Sequence, residues 1–238
     1  MPMSVTDCLR YAAPQAFYSL AGRLVPWLAA AAVLAGAAGL YVAFFVAPTD
    51  AQQGEVYRII FVHVPAAWMS MFIYVVMAFW AAVGLSLNTR LSFMLAHALA
   101  PTGAMFTFLA LWTGAIWGKP TWGAWWVWDA RLASELILLF LYLGYMALNA
   151  AIDDPRRADR ACALLALAGT LNLPLICYSV PSIAGKMPLE GVFIMGAAFW
   201  MYSIALALSR VRCVILEREQ ESEWAGAQFC PGLEPGPA

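Results

Sequence analysis

Long apolar runs separated by short polar segments dominate the chain. A membrane-crossing helix needs about 20 mostly apolar residues. Six stretches reach that length: 24–46, 59–87, 91–117, 132–152, 161–184 and 191–209. The second contains His63, the third His97 and the fourth Glu135. Pro174 and Pro181 interrupt the fifth, which membrane helices tolerate when neighbours satisfy the freed carbonyls. The first is read as a span rather than a cleaved signal peptide, because its apolar core is too long. The pattern therefore predicts an all-α integral membrane protein. Its six transmembrane helices would occupy a membrane domain over residues 1–215. A Glu-rich tail ending in Pro and Gly, residues 216–238, is expected to extend the last helix briefly and then to be disordered.

Composition supports this. Hydrophobic residues make up 63% of the 238 and charged residues 11%, against about 45–50% and about 25% in an average soluble domain. Too few charges remain to give a globule of this size a polar skin, and a net charge of −1 offers nothing for nucleic acid. Lys and Arg are divided unevenly. Arg10, Arg23, Arg90, Arg156, Arg157, Arg160, Arg210, Arg212 and Arg218 fall on one set of connections, and Arg58, Lys119, Arg131 and Lys186 on the other. The positive-inside rule then places both termini in the cytoplasm. The outer connections would be 47–58, 117–131 and 181–190. The five Cys form neither C-x-x-C nor C-x-x-C-H, so the sequence shows no zinc ribbon and no covalent haem attachment motif.

Candidate chemistry concentrates on the second outer connection, between spans three and four. It reads Trp117-Gly-Lys-Pro-Thr-Trp-Gly-Ala-Trp-Trp-Val-Trp-Asp-Ala-Arg131 and holds five of the chain's 11 Trp. Trp122, Trp125 and Trp126 are spaced so that a short helix would put them on one face. Gly118 and Pro120 are expected to break the chain ahead of it. One or two Trp at such a level need only an interfacial belt. Five, beside Lys119, Asp129 and Arg131, read as an aromatic platform for a planar apolar ligand whose carboxylates meet the cations. His63, near the outer end of the second span, is a functional candidate by its setting alone, with a helix-lining His bonded to a carbonyl as the bland alternative. His97 is read as a satisfied helix-lining residue. The charges gather at one face rather than the midplane, which argues against an ion-coupled permease.

The segment Trp117 to Leu136 resembles the tryptophan-rich "WWD" signature of haem-handling membrane proteins of cytochrome c maturation, in particular the haem exporter protein C branch. Tyr57-Arg-Ile-Ile-Phe-Val-His63-Val-Pro-Ala-Ala-Trp68 is similar to that family's first outer haem-ligand segment. Further likeness runs through Ala100–Ala104, Leu138–Gly144 and Asn172–Val180, so that the resemblance spans roughly 10–215. It implies a non-enzymatic inner-membrane protein holding haem b non-covalently and transiently at the periplasmic face. The haem would lie on Trp117, Trp122, Trp125, Trp126 and Trp128, between two axial histidines, and pass to a periplasmic haem chaperone. ATP-binding-cassette subunits and a small single-span protein would be the membrane partners. Under that resemblance His63 is an axial iron ligand. Arg58 and Arg131 are candidates for the haem propionates, and Asp129 would hold neighbouring Trp or Arg in place or meet the chaperone. Glu135 would pair with Arg131 at i+4.

The family pattern calls for a second His in the third outer connection. Here that connection reads Tyr178-Ser-Val-Pro-Ser-Ile-Ala-Gly-Lys-Met-Pro-Leu-Glu190 and has none. His97, the other His of the chain, lies 20 residues before Trp117, about 30 Å along a helix and hence at the opposite face. Met187 is one candidate second ligand, since His/Met ligation of haem iron is known. Cys177 is another, and a five-coordinate iron, or one completed by water or a partner, is a third. A divergent paralogue acting as a scaffold, with weak or no haem binding, is the alternative reading of the whole chain.

Overall fold

A computed structural model describes residues 13–179 and 189–219. The described residues form an all-α bundle with six helical stretches long and apolar enough to cross a membrane. In chain order these are α1 (Pro14–Tyr41, closed by a π turn at Val42–Val46), α2 (Ile60–Leu87, entered through a 3₁₀ turn at Glu55–Ile59), α3 (Arg90–Trp122), α4 (Ala130–Ala151), the broken pair α5 (Pro155–Gly169) and α6 (Asn172–Ser179), and α7 (Leu189–Arg218).

The helices differ from the apolar runs at their ends, for local reasons. α3 does not stop at 117 but continues to Trp122, through Pro120. Pro120 frees the Ile116 carbonyl, which membrane helices tolerate. Just beyond it, Thr121 Oγ1 donates to the Trp117 carbonyl at 2.6 Å. The true stop is Gly123, whose φ of 80° is the left-handed C-terminal cap and whose N–H donates to the Lys119 carbonyl. The fifth span breaks at Thr170–Leu171, before Pro174 rather than at it, because the Pro nitrogen has no hydrogen for the Thr170 carbonyl. That carbonyl accepts from the Leu173 N–H instead, in a tight turn. Pro181 lies outside the described residues, as do Met187 and the tail beyond 219.

The core lies among α2, α3, α4 and α5. Tyr74, Tyr142, Phe106, Ile73, Met77 and Leu138 are its largest wholly buried side chains. Tyr142 donates to the Ser70 carbonyl at 2.8 Å and meets Tyr74 edge-on, ring centroids 5.1 Å apart. α1 stands outside this core and packs chiefly on α7. Lipid is as apolar as the helix surface, so association there relies on close contact over small residues. Gly39 supplies it, since a Cβ at that position would stand 3.0 Å from the Met195 methyl.

At the end of the bundle far from the tryptophans, Arg218 grips Asp159 through two hydrogen bonds, 2.7 and 2.8 Å, tying α7 to α5. The side chains are 20% and 10% exposed. Arg218→Ala would leave the carboxylate nearly buried and unpaired. We expect it to lose roughly 1–3 kcal/mol, below the full buried-pair figure because some solvent reaches both groups. Thermal unfolding in detergent measures this, and an unshifted melt would contradict it.

Candidate functional site

Between the tryptophan ends of α2, α3, α4 and α6 lies a cavity of about 660 Å³, within the roughly 300–1,000 Å³ of small-molecule sites. Trp117, Trp122, Trp125 and Trp126 line it, with His63, Asp129, Arg131, Glu135 and Cys177 among the polar and sulfur groups.

α3 and the connection behind it build the aromatic wall. Trp117 and Trp122 lie on the last turns of the helix, centroids 6.0 Å apart. Past the Gly123 cap the chain is non-helical to Asp129, so Trp125 and Trp126 reach the cavity from irregular backbone rather than from a short helix. Trp126 meets Trp128 edge-on at 5.4 Å, yet Trp128 does not line the cavity and is 80% exposed. The Trp126 Nε1 is buried with no partner among the described residues. Trp117 is fixed through its Nε1, which donates to Gln53 Oε1 at 2.7 Å. The sequence offers no signal for Gln53, which reaches Trp117 across 64 positions.

His63 stands on the first turns of α2, and its ring faces α3. Its Nδ1 lies 3.0 Å from Thr113 Oγ1, and Trp117 approaches edge-on at 5.6 Å. Gly114 lies beneath the ring, where a Cβ would come within 3.1 Å of His63 Cε1.

Arg131 lies over the Trp122 ring, 5.4 Å from its centroid, and pairs with Asp129 at 3.2 Å. Asp129 has a second task as the N-terminal cap of α4, accepting the Leu132 N–H at 2.8 Å. It thus pairs with Arg131 while capping α4. A guanidinium stacked on one aromatic wall and open to the cavity is suited to a planar ligand that carries carboxylate.

Three expectations are redirected. Arg58 does not reach the cavity. Its guanidinium is bound by Glu55 and by the carbonyls of Ala43 and Ala47, the latter at 3.0 Å, so it closes the end of α1. Glu135 does not pair with Arg131. It is 6% exposed and accepts from Ser70 Oγ at 2.8 Å. The i+4 spacing puts both on one face, but Asp129 and Trp122 hold Arg131 toward the connection. His97 lines α3 at the far end as expected, stacked near Tyr145 at 6.3 Å, but its buried Nδ1 has no hydrogen-bond partner among the described residues.

Cys177 lines the cavity from α6, with its sulfur 3.9 Å from Met71 Sδ. Met71 is eight residues beyond His63 on α2, about 12 Å along the axis. Cys177 therefore lies beside Met71, toward the end of the cavity where Glu135 sits.

Comparison with known proteins follows the geometry. The family model described as Heme exporter protein C matches residues 7–184. Heme exporter protein C of Escherichia coli (strain K12) is 46% identical over 230 residues, covering 90% of this chain and 92% of that protein. The protein of the same name from Bradyrhizobium diazoefficiens is 45% identical over 225 residues, 88% of this chain and 85% of that one. That from Paracoccus denitrificans is 38% identical over 225 residues, 87% and 93%.

Proposed function

The chain belongs to the Heme exporter protein C family, and from that premise we propose that it binds haem at the tryptophan end of the bundle and presents it for transfer in cytochrome c maturation. One observation carries this reading: a ligand-sized cavity walled by five Trp, Trp68 among them, with an imidazole on one side and a stacked guanidinium on another. Haem here is cargo, and the residues suit it. A porphyrin face stacks on indoles, a neutral imidazole ligates iron, and guanidinium binds propionate through paired hydrogen bonds.

On this reading haem b is held without a covalent bond and leaves whole, so the chain makes and breaks coordination rather than catalysing a reaction. His63 supplies one iron ligand, and Trp117, Trp122, Trp125 and Trp126 the platform. Arg131, oriented by Asp129, meets a propionate. Trp128, exposed at the rim, belongs to the surface that a periplasmic haem chaperone approaches. The excess of Arg at the opposite end supports an inner-membrane protein with both termini in the cytoplasm and the cavity at the periplasmic face. ATP-binding-cassette subunits and a small single-span protein are its proposed membrane partners.

The missing second histidine favours one alternative, a scaffold subunit with little haem of its own. Purification under haem-replete expression, with pyridine haemochrome quantification, separates the two. Haem presentation predicts a Soret band in the isolated protein. It also predicts roughly tenfold less haem in Arg131→Gln, about the value of one charge-assisted pair. Isolation with the ATP-binding-cassette subunits but without haem would support the scaffold. Met187→Ala, assayed alongside, tests Met187 as the second ligand, and unchanged ligation would remove it.

A further inference from the structure

Thr113 has one hydroxyl proton and three neighbours within hydrogen-bonding range. Its Oγ1 lies 2.6 Å from the Leu109 carbonyl, 3.3 Å from the Ala110 carbonyl and 3.0 Å from His63 Nδ1. Carbonyl oxygens only accept, so the short contact to Leu109 takes the proton, in the i−4 back-bond usual for Thr in a membrane helix. The hydroxyl oxygen is then left as an acceptor toward the imidazole. A neutral imidazole carries one N–H. We infer that Thr113 is a positioning residue that draws this N–H to Nδ1 of His63 and leaves Nε2 as the bare lone pair turned to the cavity.

Neighbouring residues of α3 complete the seat. Trp117, one turn on, meets the ring edge-on at 5.6 Å. Gly114 brings the helix backbone under the ring, with no room for a side chain, since a Cβ would stand 3.1 Å from Cε1. Thr113, Gly114 and Trp117 thus hold the ring from a single helix face. A ligating imidazole commonly has its tautomer fixed by what its other nitrogen bonds, and such outer partners are worth about 10–100-fold in metal affinity. Here the partner is a hydroxyl oriented by its own helix, which needs no buried charge. Were the hydroxyl absent, Nδ1 would lose this acceptor and the N–H would be freer to move to Nε2, the atom needed for the iron.

This inference rests on the reading of His63 as the iron ligand, and the two are tested apart. The chain has two His, so full-length protein labelled with ¹⁵N-histidine in lipid bilayers gives two imidazole signals, assigned by a His97→Gln variant. In haem-free wild type, we expect His63 to show a protonated Nδ1 and a bare Nε2. Thr113→Val, of nearly the same shape, should move His63 to the Nε2–H form, and Thr113→Ser should keep the wild-type pattern. In haem-replete preparations, Thr113→Val should retain about tenfold less haem with an altered Soret position, and Thr113→Ser should match wild type. An Nε2–H signal in wild type, or no response to Thr113→Val, overturns the inference whatever haem does. Full haem retention by His63→Ala overturns the ligand reading instead, and leaves the tautomer result standing as a property of the ring.

Discussion

His63→Ala is expected to abolish the Soret band of the purified protein while leaving the bundle folded. Its side chain is hydrogen-bonded to Thr113 and to the Ala110 backbone and borders an open cavity, so removing it exposes no buried charge and creates no sealed void. The stability change should stay near 1 kcal/mol, the scale of such hydrogen bonds and a ring edge. The loss of haem should be far larger. Second-sphere partners of metal ligands are worth about 10–100-fold, so removal of the ligand itself should lower haem per chain on the order of 100-fold. The vacated space opens to the cavity, so added imidazole should restore part of the band. Pyridine haemochrome quantification beside a thermal melt reads both effects. A His63→Ala protein that melts as wild type and keeps its haem would mean that the indoles and Arg131 hold the porphyrin without the iron, and the ligand role would fall.

What the sequence made legible here follows from the range of each interaction. Spans are local, since about 20 apolar residues are sufficient signal, and all six appear as helices. The tryptophan cluster is local too, and four of its five members meet in one cavity. The errors lie where a local rule competes with a partner far along the chain. Arg58 is an outer-face cation by position, but its carbonyl partners sit 11 and 15 residues back, on and just after a π turn that apolar patterning does not announce. Arg131 and Glu135 satisfy the i+4 rule and ignore it, because Ser70, 65 residues away, offers the buried carboxyl a hydroxyl. Pro120 is a breaker in water and not in this membrane helix, which runs on past it until Gly123 decides the end. His97 shows the reverse failure. A residue judged satisfied from its setting has an Nδ1 without a partner among the described residues, which only three-dimensional neighbours reveal.

Those long-range contacts join the core to the cavity, and this makes Gly103→Ala the most damaging single-methyl change to expect. Gly103 lies on α3 directly under the Tyr142 phenol, and a Cβ there would overlap the ring and its hydroxyl. Tyr142 is wholly buried, its hydroxyl is bound to the Ser70 carbonyl, and its ring is wedged on Tyr74. It cannot step aside without breaking that bond and orphaning a buried hydroxyl, at about 1–3 kcal/mol, and overpacking of a dense core adds about as much again. We therefore expect Gly103→Ala to lose at least about 3 kcal/mol and to accumulate poorly. The disturbance should also reach the site, because Ser70 is the residue whose side chain holds Glu135 at the cavity's deep end. Gly36→Ala is the matched control. Its Cβ would find only the Ala198 methyl, at 3.9 Å, so the usual helix preference for Ala over Gly should leave it neutral or slightly stabilised. Thermal unfolding of the two variants in one detergent decides the matter. Equal melts would mean that α3 and α4 separate freely at this level, and that the Tyr142 contact does not fix the depth of the cavity floor.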